Sequence, residues 1–399
     1  MIPPAFRRVL SAEGAARLVL ASLVGRLPVA FTSLATVLLV REHTGSFATA
    51  GLVAAAEAVG ASAIAPLQGR LIDRYGQPRV LVPAALGNAA GILALVGAAL
   101  AEAPATVLAV CGLVAGTSLP PLGACMRALW TTLLGPGDSI DTAYSVEAVL
   151  VEVMFIAGPV LAAGIFAVAS PAAALAVAAA LTVIGTLAFV GARAARSWRG
   201  RPHTHAPVWA VSAPGMRTLM AVDSCIGVAF GTVEVAVAAF ARSQGSAAAA
   251  GVLLAAMAAG SMAGGVWYGT RSWRGPVATR FLVSVALLAA GLAPLALGGS
   301  IPVMAVLLVL GGAAIAPSTA CVYRLVDDVA PRGTLAEAFT WVSTATIAGI
   351  AVGSAIAGPV VEGAGTRAAL ALPCGAAIVA TLIAFARRAT LAPTGAMVR

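Results

Sequence analysis

Long apolar runs alternate with short polar segments along the whole chain. An α-helix that crosses the hydrocarbon core of a bilayer needs about 20 residues, because it rises about 1.5 Å per residue over about 30 Å. Each apolar run has about this length. The pattern therefore predicts an all-α integral membrane protein with twelve spans, at residues 16–40, 47–67, 80–100, 105–129, 142–167, 171–192, 215–240, 246–268, 277–298, 301–325, 336–361 and 368–386.

The longest polar segment follows the sixth run and divides the spans into two sets of six. The two sets repeat each other: at an offset of 200 residues, Gly45-Ser46 aligns with Gly245-Ser246, and Gly158-Pro159 aligns with Gly358-Pro359. Parallel repeats of this kind place a substrate site between the halves, near the midplane of the bilayer. We therefore expect two homologous six-helix bundles at residues 1–192 and 215–399, joined by a linker at 193–214.

The arginines distinguish the two sides of the membrane. All 24 basic residues are arginine, and twenty of them lie at the termini, in the linker or in loops on the side where the odd-numbered spans begin. Arg41, Arg242 and Arg367 lie in loops on the other side, and Arg26 lies within a span. Because basic residues are concentrated in cytoplasmic loops, both termini are expected in the cytoplasm. The expected location is a cell membrane, the inner membrane in a bacterium.

The composition excludes several classes of protein. Apolar residues make up 60% of the chain and charged residues 10%, with a mean hydropathy of +0.99, whereas ordinary soluble domains carry about 25% charged residues. A soluble enzyme and a disordered chain are therefore excluded. The net charge of +9 does not indicate a nucleic-acid partner, because no basic domain is present to bind one.

The sequence carries no motif of an enzyme or a cofactor site. It has no G-x-x-x-x-G-K-[ST] phosphate loop, no H-E-x-x-H, no G-x-S-x-G and no C-x-x-C pair. We therefore expect no enzymatic activity, no ATP hydrolysis, no cofactor and no bound metal. The five cysteines all lie within apolar runs, so they are expected to be free and buried.

The loop between the second and third spans carries a family resemblance. Residues 69–81 read Gly-Arg-Leu-Ile-Asp-Arg-Tyr-Gly-Gln-Pro-Arg-Val-Leu. This segment resembles the signature loop of the major facilitator superfamily, G-x-L-x-D-R-x-G-R-K-x-x-L. The matching residues are Gly69, Leu71, Asp73, Arg74, Gly76 and Leu81, while Gln77 and Pro78 replace two basic residues. The resemblance implies that Asp73 docks at the start of span 11, near residues 336–338, where a helix N-terminus favours an anion.

A second resemblance is to the drug and proton antiporters of the same superfamily. Gly158-Pro159 in span 5, followed by Ala162-Ala163-Gly164, resembles their antiporter motif, and Gly358-Pro359 repeats the pair in span 11. Proline removes a helical hydrogen bond and glycine allows a neighbouring helix to approach. A packing kink with no transport role is the alternative. These exporters also carry an arginine within span 4, whereas Arg127 is predicted at the cytoplasmic end of that span.

Four ionisable side chains are predicted near the midplane of the bilayer. Arg26, Glu57, Glu152 and Asp223 lie about 12–16 Å deep when counted from the cytoplasmic ends of spans 1, 2, 5 and 7. Charged groups at this depth are costly and mark functional sites. We interpret them as a substrate- and proton-binding set in which Arg26 acts on Glu152 or Asp223. The alternative for each acid, and for Glu147 in the cytoplasmic third of span 5, is a structural partner of a neighbouring helix.

Together these features predict a secondary active transporter that works as a monomer in the bilayer. An ion gradient, most simply of protons, is expected to drive it. The predicted spans are rich in Ala, Gly, Val and Leu, and Asn88 is the only asparagine, so a small lipophilic or amphipathic substrate is favoured over a sugar. Efflux is the leading hypothesis. An importer or uniporter of a small metabolite, and a non-transporting receptor-like or assembly protein, are the alternatives.

Overall fold

A computed structural model describes residues 3–135, 139–198, 208–246 and 249–392, and within helices the side chains at positions 159 and 167 lie outside the description. In this part of the chain, helices form twelve spans long and apolar enough to cross a membrane, which confirms the all-α, twelve-span prediction. Spans 1–12 are Ala15–Thr44, Phe47–Tyr75, Gln77–Leu100, Ala105–Leu134, Ser139–Phe166, Pro171–Val190, Pro214–Ser243, Ala249–Gly269, Val277–Leu297, Ile301–Val329, Leu335–Ala364 and Thr366–Ala386.

Several spans are interrupted, and two of the breaks position charged residues. Span 1 consists of helix Ala15–Arg26, a 3₁₀ turn Leu27–Ala30 and helix Thr32–Thr44. Pro28 has no N–H to continue the first helix, so Arg26 lies at its C-terminal end, where a cation is favourable. Span 4 is divided into Ala105–Thr117 and Leu122–Leu134 by Pro120-Pro121. The second of these helices carries Arg127.

We call the end of the bundle at which the odd-numbered spans begin the arginine-rich face. Short helices lie at this face before span 1, between spans 6 and 7, and after span 12. They are Pro4–Leu10, Arg193–Ser197, the 3₁₀ turn Ala210–Ser212 and the 3₁₀ turn Arg388–Leu391. Residues 199–207 of the predicted linker lie outside the described residues. The two sets of six spans meet where spans 2 and 4 pack against span 11, and where span 5 packs against spans 8 and 10.

Small residues allow close helix contacts inside the bundle. Spans 7 and 11 cross so closely at Gly227 and Gly349 that a Cβ atom on either residue would overlap the backbone of the facing helix. Glycine at such contacts is typical of helices in lipid, where backbones must approach closely to gain packing energy. Large apolar side chains are exposed around the outside, among them Leu52, Leu86 and Leu382, as expected of a surface that faces lipid.

Candidate functional site

Asp73 of the signature loop contacts the first turn of span 11. Its Oδ1 accepts a hydrogen bond from the backbone N–H of Ala336 at 3.1 Å, and its Oδ2 accepts one from the N–H of Glu337 at 2.8 Å. The first N–H groups of a helix have no partners within the helix and carry the positive end of its dipole. Asp73 therefore satisfies two of these donors with a carboxylate, and it does so between the first six and the last six spans.

The other signature residues explain why this contact forms. At Gly69 an added Cβ would lie 2.6 Å from Thr340 Oγ1 and 2.7 Å from Glu337 Cα, so only glycine lets span 2 approach span 11 here. Gly76 ends span 2 with a φ of 87°, a backbone conformation that favours glycine. Arg74 is exposed and stacks on Tyr75, with its Cζ 5.2 Å from the ring centroid.

The two departures from the signature also have structural roles. Gln77, which replaces a basic residue, is fully buried and donates from Nε2 to the carbonyl oxygen of Cys125 in span 4 at 3.1 Å. Pro78 lies in the first turn of the helix Gln77–Leu100, where a missing N–H costs nothing. The loop therefore anchors span 3 to span 4 by a neutral contact.

Each of the three predicted midplane carboxylates accepts a hydrogen bond from a neutral hydroxyl. Glu57 Oε2 accepts one from Thr36 Oγ1 of span 1 at 3.2 Å. Glu152 Oε1 accepts one from Ser261 Oγ of span 8 at 2.7 Å. Asp223 Oδ2 accepts one from Thr346 Oγ1 of span 11. Among the described residues none of these three carboxylates forms an ion pair.

The Glu152 contact differs from the other two because it joins span 5 to span 8, and hence the first six spans to the last six. Ser261 also accepts a hydrogen bond from the backbone N–H of Ala316 in span 10, at 3.1 Å from its Oγ. Ser261 is fully buried, so its hydroxyl is fixed between Ala316 and Glu152. A change in the charge of Glu152 therefore acts directly on the interface between the two sets of spans.

The expected pairing of Arg26 with Glu152 or Asp223 is not what the structure shows. Arg26 Nη1 instead forms an ion pair with Glu147 Oε2 at 3.0 Å, with side chains 11% and 0% exposed. Glu147 and Glu152 lie five residues apart, so they point to different sides of span 5. The four predicted midplane charges therefore do not form one set, and Glu147 joins the site as the partner of Arg26.

Arg127 does not lie at the end of its span. The helix continues to Leu134, seven residues further, and Arg127 is only 5% exposed. Its Nη2 donates to Ser343 Oγ of span 11 at 3.3 Å, and its Cζ lies 4.5 Å from the ring centroid of Tyr323 and 5.2 Å from that of Phe339. The predicted span stopped at residue 129, because Thr131 and Thr132 interrupt the apolar run.

The interface also holds a charge network nearer to the arginine-rich face. Asp141 of span 5 accepts from Arg280 Nη1 of span 9 at 2.7 Å, and its other oxygen lies 3.4 Å from Arg324 Nε of span 10. Arg324 also pairs with Asp327 at 3.2 Å and with Asp328 at 2.5 Å. These residues lie within or just beside predicted spans. Only the pairs of Arg324 with Asp327 and Asp328 could have been predicted from the sequence, because these residues lie three and four positions apart on one helix.

The Gly-Pro pairs differ from each other. A Cβ on Gly158 would overlap the side chain of Ala30 in span 1, so span 5 approaches span 1 closely here. The side chain of Pro159 lies outside the described residues. Gly358 has no atom within 4 Å of its Cβ position, although Pro359 lies inside the same helix. Close packing is therefore found at the first pair and not at the second.

Other chemistry is sparse in the described part of the chain. No group of three His, Cys, Asp or Glu side chains there could hold a metal ion, and the cysteines are free thiols. Two surface cavities of about 570 and 360 Å³ lie at the outside of spans 1, 5 and 6 and of spans 7, 11 and 12. Neither is lined by the midplane charges.

A twelve-span helical bundle with buried charges between two sets of six spans is the architecture of a membrane transporter. Residues 18–272 match the family model of the Major Facilitator Superfamily, and the chain belongs to this family, whose members are transporters. No curated protein matches the sequence significantly.

Solved structures agree on the fold. The human organic anion transporter MFSD10 (TETRAN) is 18% identical with a TM-score of 0.74, over 96% of this chain and 100% of that chain. A bacterial homologue of the iron transporter ferroportin, in an outward-facing state, is 13% identical with a TM-score of 0.75, over 94% and 99%. The E. coli fucose:proton symporter FucP is 16% identical with a TM-score of 0.70, over 94% and 99%.

Proposed function

We propose that the protein is a proton-coupled secondary transporter that exports small lipophilic or amphipathic compounds by alternating access. Residues 1–192 and 215–399 act as two bundles, and the arginine-rich face is cytoplasmic. The observation that carries this proposal is the hydrogen bond between Glu152 and Ser261, which joins a half-buried carboxylate of span 5 to span 8.

The surroundings of Glu152 suit a proton carrier. A charged group at membrane depth is costly unless it is paired, and Glu152 accepts from a hydroxyl rather than from an arginine. A proton can therefore neutralise the carboxylate without breaking an ion pair. Protonation of Asp223 or Glu57 would likewise break no ion pair, because these carboxylates accept from Thr346 and Thr36. Each of these two contacts, however, lies within a single bundle. Glu152 is thus the first candidate for coupling and Asp223 the second.

The contacts between the bundles indicate which side is closed. Asp73 with span 11, Asp141 with Arg280 and Arg127 with Ser343 all lie between the midplane and the arginine-rich face. Because arginine-rich loops are cytoplasmic, this arrangement corresponds to a transporter closed toward the cytoplasm. Export then requires these contacts to break and reform in each cycle, with the bound proton and the cargo shifting the balance between the two states.

The proposed class of cargo rests on the residue types found in the spans. The spans are rich in Ala, Gly, Val and Leu, and Asn88 is the only asparagine of the chain, so few side chains along them could bind the hydroxyl groups of a sugar. The solved structures of similar fold are named as transporters of different cargos, namely organic anions, iron and fucose with protons. The fold therefore does not select a cargo, and an importer would differ from this proposal only in direction.

Resistance measurements test the proposal. We expect the protein, expressed in a bacterium that lacks its own efflux pumps, to raise the tolerated concentration of some lipophilic compounds in a toxic panel. A protonophore and Glu152→Gln should both remove this protection, whereas Glu102→Gln, in an exposed loop, should keep it. Equal sensitivity with and without the protein across the panel, or accumulation rather than exclusion of the compounds, would contradict export.

A further inference from the structure

The end of the predicted linker contacts both sets of spans. Trp209 lies directly before the 3₁₀ turn Ala210–Ser212. The guanidinium of Arg70 in span 2 stacks on its indole ring, with Arg70 Cζ 3.7 Å from the ring centroid. The next residue, Ala210, donates from its backbone N–H to Glu337 Oε1 of span 11 at 2.9 Å. Two consecutive residues of the linker therefore connect span 2 to span 11.

The linker is attached to span 11 at a buried site. Ala210 and Glu337 are 0% and 1% exposed. Glu337 Oε1 also accepts from Trp341 Nε1, one turn further along span 11, at 3.3 Å. Hydrogen bonds to a buried carboxylate are costly to break, because the charge then loses part of its compensation. Trp209 is therefore held to the last six spans, the first of which begins shortly after it, at Pro214.

Arg70 belongs to the first six spans and contacts Trp209 from the other side of the interface. It occupies the second position of the signature segment, between Gly69 and Leu71. Its Nη1 is buried and has no hydrogen-bond partner among the described residues. The face of a tryptophan ring attracts a cation, and does so more strongly where the cation is shielded from water. The ring of Trp209 therefore gives Arg70 a stabilisation that hydrogen bonds do not supply at this nitrogen.

We propose that Trp209 and Arg70 form a clasp that holds spans 2 and 11 together at the arginine-rich face, so that the linker is part of the gate. The proposal rests on the proposed function, in which this face is closed toward the cytoplasm and opens in each cycle. When span 11 moves away from span 2, Trp209 moves with span 11 and Arg70 with span 2, so the stacking is lost. The clasp stabilises the same closed state as the contact of Asp73 with span 11, by a different interaction.

The rate of a thiol reaction measures how often this gate opens. In a variant that lacks the five native cysteines, Thr340→Cys places one thiol between spans 2 and 11, because Thr340 is 2% exposed and lies against Gly69. In the purified full-length protein, N-ethylmaleimide should react with this thiol only while the spans are apart, so the rate follows the open fraction. Loss of the stacking should raise the rate about two- to thirty-fold, the range that corresponds to a cation–π contact.

Two substitutions remove the stacking in different ways. Trp209→Leu removes the ring face and keeps an apolar side chain, and Arg70→Met removes the charge and keeps the apolar stem. Each should accelerate the reaction. The double variant should react no faster than the faster single variant, because both substitutions remove the same contact. An unchanged rate in Trp209→Leu, or accelerations that multiply in the double variant, would overturn the clasp. If Trp209→Leu does not fold, the rate in Arg70→Met decides.

The matched control is a second stacked pair at the same face. Arg271 Cζ lies 4.9 Å from the ring centroid of Trp267, and both residues lie at the end of span 8. Trp267 and Trp209 are similarly exposed, at 51% and 47%. Trp267→Leu should leave the rate at position 340 unchanged, because its contact does not cross between the two sets of spans. An acceleration equal to that of Trp209→Leu would overturn the clasp.

A second thiol position separates opening from unfolding. Ala174 is fully buried in a cluster whose buried members all belong to the first six spans. With Ala174→Cys as the single thiol, Trp209→Leu and Arg70→Met should not accelerate the reaction. An acceleration at position 174 equal to that at position 340 would mean that the substitutions loosen the whole fold, and would overturn the clasp.

These measurements need neither cargo nor a pH gradient, so their outcome is separable from that of the proposed function. A faster reaction in Trp209→Leu, together with no protection by the native protein against the toxic panel, would keep the clasp and reject export. Protection against the panel with unchanged reaction rates would keep export and reject the clasp.

Discussion

Asp73 and Glu337, 264 residues apart in the chain, meet through a hydrogen bond of 2.8 Å from the Glu337 N–H to the Asp73 Oδ2. Glu337 also binds the linker, because its Oε1 accepts from the N–H of Ala210 at 2.9 Å. One residue at the start of span 11 therefore contacts both the signature loop and the segment that joins the two sets of spans. A movement of span 11 away from span 2 must disturb both contacts.

The first prediction concerns this contact. Asp73→Asn removes the negative charge at the helix N-terminus and leaves one acceptor oxygen for two N–H donors. We expect the arrangement that is closed at the arginine-rich face to be destabilised by about 1.5–3 kcal/mol, the contribution of a hydrogen bond to a charged group. Transport should be abolished or strongly reduced, while the amount of folded protein in the membrane stays the same. Full transport by Asp73→Asn would show that the contact is not a latch.

The second prediction concerns the glycine that permits the contact. Gly69→Ala places a Cβ within 2.9 Å of Thr340, Glu337 and Ala336, so spans 2 and 11 should be forced apart. Gly51→Ala is the matched control, because the same helix has open space at that position. Distances between spin labels at the arginine-rich ends of spans 2 and 11, measured in a cysteine-free background, should lengthen only in Gly69→Ala. Unchanged distances would mean that the helices absorb the extra atom.

The third prediction separates proton coupling from stability. In vesicles with an imposed pH gradient, Glu152→Gln should lose accumulation of cargo against its gradient but keep downhill flux, because the amide still accepts from Ser261 and cannot carry a proton. A purely structural acid would instead lower the folded yield and affect both modes together. If Glu152→Gln and Asp223→Asn both still concentrate cargo, coupling lies with Glu57 or the protein is a uniporter.

The number of spans could be predicted from the sequence because each span must bury about 20 apolar residues, a requirement that is local in the chain. The family could be recognised from residues 69–81, because Asp73, Gly69 and Gly76 lie in one short segment of the chain. The contact of Asp73 with residues 336 and 337 followed from the resemblance and is present in the structure.

The ion-pair partner of a charged residue could not be predicted, because the depth of a residue along its helix does not give the direction of its side chain around the helix axis. Counting residues placed Arg26 level with Glu152 and Asp223, yet it pairs with Glu147, which lies on another side of span 5. Arg127 was misplaced for a different reason. The helix continues past Thr131 and Thr132 to Leu134, and its residues 124–130 are buried within the protein, with Trp130 fully buried.

The fourth prediction tests the charge network by a double-mutant cycle. Asp141→Asn and Arg280→Gln should each destabilise the protein, and together by less than the sum, because the partners contact each other at 2.7 Å. Contacting residues give coupling free energies of about 0.5–3 kcal/mol. The free energy of unfolding in detergent measures it, and Asp141→Asn combined with Arg41→Gln is the additive control. Additivity in the Asp141–Arg280 cycle would show that the pair contributes nothing to stability.

The fifth prediction distinguishes stability from function at Arg26 and Glu147. Removing one member of a buried ion pair leaves an uncompensated charge, at a cost of about 3–5 kcal/mol, whereas replacing both members by apolar residues of similar volume is often neutral. Arg26→Met and Glu147→Leu alone should therefore lower the unfolding temperature and the folded yield, and the double variant should recover both. If Arg26 binds the cargo, the double variant should fold normally and still fail to transport. Recovery of transport together with stability would mean that the pair only holds spans 1 and 5 together.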